Sequence, residues 1–118
     1  MIKVHKLTFN PFQENTYILS DETNDCVIID PGCYEANEKK RLADYIESNK
    51  LNPVKLINTH CHIDHVLGNY FVANKYNLEL GIHKEDLQTL ESIPTYCQAY
   101  GFNDYQLSPE PTYFINEG

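Results

Sequence analysis

The segment Asn58-Thr-His-Cys-His-Ile-Asp-His65 constrains this chain more than any other part of it. It follows directly on a short apolar run, residues 54–57, that reads as a strand, and in extended backbone side chains alternate with period two. His60 and His62 therefore point to one side and Cys61 to the other, and a turn after Asp64 brings His65 alongside. His60, His62, Asp64 and His65 are all of preferred metal-ligand type, so the segment reads as a site that gathers an ion at a strand end. Imidazole and carboxylate donors suit zinc, one ion or two, and also iron or manganese, whereas a softer structural site would recruit Cys61 and other thiolates. The pattern reads as a catalytic centre. Its rivals are a set of surface histidines on a loop and a metal clip without chemistry.

The elements on either side predict an α/β layered fold. Three strand-like runs, residues 2–9, 16–20 and 26–29, are separated by polar turns and read as an antiparallel meander, the third stopping at Asp30-Pro-Gly32. Residues 35–50 have helical periodicity, with Leu42, Tyr45, Ile46 and Asn49 on one face, and Asn52-Pro53 is expected to end that helix. Beyond the histidine segment the pattern predicts a helix over 66–76, a strand over 78–82, short helices over 84–91 and 95–100, and a strand over 113–115 followed by a hairpin turn at 116–118. His83 reads as a helix-start or packing residue, His5 as strand decoration, and Lys39-Lys-Arg41 as the solvated face of a helix.

Composition narrows the partners. The 118 residues suffice for one core, hence one domain or part of one, and the apolar runs are too short to cross a bilayer. Seventeen acidic residues against nine basic ones give a net charge of −8, which disfavours nucleic acid and favours a small substrate. The first residues lack the apolar core of a signal peptide, so the cytoplasm is expected, and the four irregularly spaced cysteines are expected to be reduced.

Thr59-His-Cys-His-Ile-Asp-His65, followed by Gly68, resembles the signature of the metallo-β-lactamase superfamily, whose αββα fold holds one or two metals at the edge of a β-sandwich. Glu14-Asn-Thr-Tyr-Ile-Leu-Ser20 and Cys26-Val-Ile-Ile-Asp-Pro-Gly32 resemble the glyoxalase II branch, whose members hydrolyse the thioester of hydroxyacylglutathione. The resemblance implies that residues 1–118 form the amino-terminal half of that sandwich, cut short at the carboxyl end. It assigns His60 and His62 to a first metal and Asp64 and His65 to a second, with Asp64 also orienting the nucleophile. Asp30 would orient a ligand histidine from behind, beside its plainer reading as a turn carboxylate. The later ligands of the family have no counterpart, since no histidine follows His83.

These readings predict a metal-dependent hydrolase of a small thioester, poorly active as this chain alone. Other members of the superfamily, such as persulfide dioxygenases, lactamases and metallo-ribonucleases, are the enzymatic alternatives. A non-catalytic metal-binding half-domain is the alternative of another class. A half-sandwich would leave one apolar sheet face bare, from which a homodimer is expected.

Overall fold

The computed structural model of the chain describes residues 2–10, 13–59, 61–102, 105–106 and 108–114. Six strands form one sheet in sequence order: β1 (Lys3–Phe9), β2 (Glu14–Ser20), β3 (Asp25–Ile29), β4 (Asn52–Ile57), β5 (Leu80–Ile82) and β6 (Pro111–Phe114). The first three run antiparallel, as the meander predicted, and β3 through β6 are parallel. Each parallel step carries helical structure: α1 (Ala36–Ser48), then α2 (Ile63–Val66) and α3 (Asn69–Tyr76), then a 3₁₀ turn at Lys84–Asp86, α4 (Leu87–Tyr96) and a second 3₁₀ turn at Cys97–Tyr100. The steps all advance in one direction, so right-handed crossovers place their helices on the same face.

That face holds the core. The register aligns Ile18, Ile28, Leu56 and Leu80 in one row across four strands, and all four are buried. Leu42 and Ile46 of α1, Val72 of α3 and Ile93 of α4 are buried in the same cluster. At the β1 edge the His5 ring stacks on Tyr45 with centroids 3.8 Å apart, and the Arg41 guanidinium lies 5.0 Å from the Phe9 ring centre while donating to the Thr8 carbonyl. The basic run on α1 thus packs as well as solvates. The opposite row, Tyr17, Ile29 and Ile57, is only half-buried.

Several boundaries differ from the sequence expectation for identifiable reasons. Helix α1 ends at Ser48, and Asn52 and Pro53 begin β4, where the pairing with β3 shifts register beside Cys26 and so accommodates a proline near the start of the strand. The helix expected over 66–76 is two helices with a break at Leu67–Gly68. There the Gly68 N–H donates to the Pro31 carbonyl at 2.7 Å, and a Cβ on Gly68 would run into Cys33 Sγ and the same carbonyl oxygen. Contact between backbones overrides helical periodicity at this point. The two short helices expected after β5 are instead one helix, α4, that runs through Pro94 near its carboxyl end, flanked by 3₁₀ turns. The turn expected at residues 116–118 lies outside the described residues.

Because the atoms facing Gly68 include backbone, Gly68→Ala should lower stability by about 1–3 kcal/mol, read as a lower urea midpoint. An unchanged midpoint would show that the Pro31–Gly68 contact yields freely.

Candidate metal centre

Strands β3, β4 and β5 end at the same edge of the sheet, the edge at which parallel α/β sheets bind ligands. Asp30 leaves β3 with φ 52°, in the left-handed region that costs a non-glycine residue about 1–2 kcal/mol. Its N–H donates to the Ile57 carbonyl, which ties this turn to β4. The carboxylate is buried and accepts the Thr59 N–H at 2.7 Å through Oδ1 and the Thr59 hydroxyl through Oδ2. The same Oδ2 lies 3.2 Å from His65 Nδ1.

Behind β4 the histidine segment turns into α2, whose first residues include Asp64 and His65. His62 precedes the helix in extended conformation, exposed, with its ring centre 6.3 Å from that of His65. Asp64 Oδ2 stands 3.5 Å from His65 Nε2. His65 is therefore flanked on its Nδ1 side by Asp30 and on its Nε2 side by Asp64. Its pKa is raised, first by the hydrogen bond to Asp30 and then by the charges of Asp30, Asp64 and Glu14, against the opposing effect of burial. His60 lies outside the described residues.

A third carboxylate completes the surroundings. Glu14, the first residue of β2, is buried with its Oε1 at 3.5 Å from His65 Nδ1 and its Oε2 accepting the Thr16 hydroxyl at 3.1 Å. Burial pushes its pKa up to about 8, an effect that the positive charge of His65 and the Thr16 hydrogen bond partly offset. Donor atoms of Glu14, Asp30 and His65 all lie within 4.8 Å of one another. The sequence reading gave Glu14 no role. A signal was nonetheless present: Glu14 and Thr16 share the parity of Ile18 on β2, so two polar residues occupy inward positions.

Two asparagines brace the loop. Asn58 and Asn69, both buried, exchange amide hydrogen bonds of 3.1 and 2.7 Å, fixing the end of β4 to α3. Asn10 Nδ2 donates to the Gly32 and Asp64 carbonyls, closing the turn after β3 onto α2. His83, at the end of β5, accepts the Glu85 N–H through Nδ1 at the start of the 3₁₀ turn. All four cysteines are free and buried, and burial drives the thiols of Cys33 and Cys61 up to about 12, so neither supplies a thiolate here.

Comparison with known proteins places this arrangement in a family. A model described as the metallo-beta-lactamase superfamily matches residues 9–115. The chain belongs to the metallo-β-lactamase superfamily. Among superfamily relatives it is 32% identical over 108 residues to the hydroxyacylglutathione hydrolase GloC of Haemophilus influenzae, covering 91% of this chain and 49% of that protein. It is 28% identical over 85 residues to YqgX of Bacillus subtilis, named as a probable metallo-hydrolase, with 72% of this chain and 38% of that protein covered. The chain thus spans half or less of these relatives' length. Among solved structures, a di-iron-bound form of TTHA1623 superposes with a TM-score of 0.82 at 29% identity over 98% of this chain and 55% of that one. The B3 metallo-beta-lactamase BLEG-1 shares the fold, with a TM-score of 0.76 at 21% identity over 100% of this chain and 54% of that one.

The residues present fit the metal ions of such a superfamily. With the Nδ1 side of His65 turned to buried carboxylates, Nε2 is left on the side of Asp64, and oxygen and imidazole donors without thiolate suit zinc, iron or manganese. Among the described residues no helix is long and apolar enough to cross a membrane.

The pKa directions give a test. Glu14 and His65 both hold their protons to higher pH folded than unfolded. Their contribution is fully present at low pH, below about 4.5 for Glu14, and is lost as pH rises through the folded values, about 8 for Glu14. Stripped of metal, the chain should therefore lose stability as pH rises from about 4.5 to about 8, the interval between the unfolded and folded titrations of Glu14, with His65 adding to the loss above 6.5. Glu14→Gln should flatten the loss, and denaturant titration across this range would contradict the account if stability rose with pH.

Proposed function

We propose that this chain carries part of the active site of a metal-dependent hydrolase and that the intact protein cleaves a small thioester such as hydroxyacylglutathione. The observation that carries the reading is the placement of His65, with Asp30 against Nδ1 and Asp64 beside Nε2 at the carboxyl edge of a parallel sheet. The similarity to a protein named hydroxyacylglutathione hydrolase, extending over 91% of this chain, supports the thioester in particular.

In this reading His60, His62, Asp64 and His65 hold one or two ions. A bound ion would polarise an acyl carbonyl and lower the pKa of water towards ~7. Asp64, half-exposed beside His65 Nε2, accepts a proton or a hydrogen bond from the attacking water and so sets its direction. Asp30 fixes the imidazole of His65 by its Nδ1 side, while its bonds to Thr59 keep the carboxylate from rotating away. Zinc is the proposed ion. Iron is the alternative that the di-iron relative favours. The acidic charge of −8 supports a small substrate over nucleic acid and a place in the cytoplasm over a membrane surface. A second copy of the chain would pack on the half-buried row of Tyr17, Ile29 and Ile57.

Thiol release from a hydroxyacylglutathione by the intact protein tests the reading. Activity should disappear with a chelator and return with zinc or iron. His65→Ala should lower kcat/KM by more than the roughly 10–100-fold seen when only a supporting residue is lost. Turnover that survives both chelation and His65→Ala would contradict it.

A further inference from the structure

The buried carboxyl of Glu14 is unexplained by strand formation. A carboxyl group taken out of water costs several kcal/mol unless its oxygens are engaged, so an apolar residue beside Ile18 would serve the core of β2 better. Its two oxygens are not equivalent. Oε2 lies 3.1 Å from the Thr16 hydroxyl, whose single proton is shared with the Asp30 carbonyl at 2.8 Å while its oxygen accepts the Gly32 N–H at 3.0 Å. Oε1, fully buried, has no hydrogen bond among the described residues and faces His65 Nδ1 at 3.5 Å. The space that Glu14 occupies exists because residue 32 is glycine: a Cβ there would collide with Glu14 Oε2, the Asp64 carbonyl oxygen and Asn10 Nδ2. Strand β2, the turn after β3 and helix α2 thus converge on one carboxyl group.

Asp30 is not the only carboxyl group on the Nδ1 side of the ring. Both of its oxygens already accept bonds from Thr59, and the oxygen nearest His65 is the one shared with the Thr59 hydroxyl. A second carboxyl oxygen, 3.5 Å from Nδ1, stands beside Asp30 on that side of the imidazole, where it would limit rotation of the ring about its bond to the chain and so keep Nε2 on the side of Asp64. We propose that Glu14 is a positioning residue for His65, sharing the Nδ1 side of its imidazole with Asp30. The proposal rests on His65 being a metal ligand, as the proposed function has it.

Metal affinity and an imidazole signature test it without recourse to activity. Zinc affinity of the chain is measured by competition with a chromophoric chelator for the wild type, Glu14→Gln and Glu14→Met, with folding followed by circular dichroism. Gln keeps an oxygen acceptor and Met keeps only the volume. Affinity should stay within about threefold for Glu14→Gln and fall about tenfold or more for Glu14→Met, the range typical of groups that orient a ligand. In nitrogen-15 spectra of the metal-free chain, the His65 ring nitrogens should keep the wild-type pattern in Glu14→Gln and shift towards a mobile ring in Glu14→Met. If Glu14→Met fails to fold, Glu14→Asp replaces it: its carboxylate is one methylene short of Nδ1, and a loss of about fivefold or more supports the proposal while no loss overturns it. Equal affinities in wild type and Glu14→Met, or equal losses in Gln and Met, overturn the role of Glu14 alone. A wild-type chain whose zinc affinity is unaffected by His65→Ala overturns the metal reading, and the proposal with it.

Discussion

The Asp30 carboxylate is the interaction on which the rest of the site depends. It sits where β3 ends, in a backbone conformation that a non-glycine residue adopts only at a cost, and that conformation aims the side chain across the sheet edge at the loop after β4. Three contacts reward the strain: the Thr59 N–H, the Thr59 hydroxyl and the Nδ1 side of His65. Strain at a functional edge persists only when its neighbours over-determine it. Here the Asp30 N–H bonded to β4 and the Thr16 hydroxyl on the Asp30 carbonyl do so from both ends of the residue.

The fold supplies the setting for that contact. Parallel pairing of β3, β4 and β5 brings three strand ends to one edge, and the right-handed crossovers leave the edge open while stacking the helices on one face. Gly32 and Gly68 then let backbone approach backbone around the turn after β3, so that α2 lies close enough for His65 to reach Asp30. Buried amide pairing of Asn58 with Asn69 fixes where the loop departs from β4. Loss of either amide would strand its partner in a dry interior, which is why such a pair holds a fixed geometry.

Much of this was legible in the residues. The meander, the strand before the histidines and the amphipathic α1 follow from periodicity, since each buries one face in a regular pattern. The break at Gly68 was not legible, because it arises from the Pro31 carbonyl, far away in sequence. The helix through Pro94 likewise reflects packing of Leu90 and Ile93 in the core, which outweighs one missing N–H. At the site, the ligand types stood out by their spacing, whereas Glu14 did not. Its meaning depends on which face of β2 turns inward and on the empty space at Gly32, and both are properties of the assembled sheet.

The central claim is that His65 turns its Nδ1 to carboxylates and its Nε2 to a metal shared with Asp64. An anomalous difference map of zinc-loaded crystals tests this most directly. The account predicts an ion bonded to His65 Nε2 and an Asp64 oxygen, with nitrogen and oxygen donors at about 2.0–2.2 Å. An ion lodged among Glu14, Asp30 and His65 Nδ1, or sulfur donors at about 2.3 Å, would contradict it.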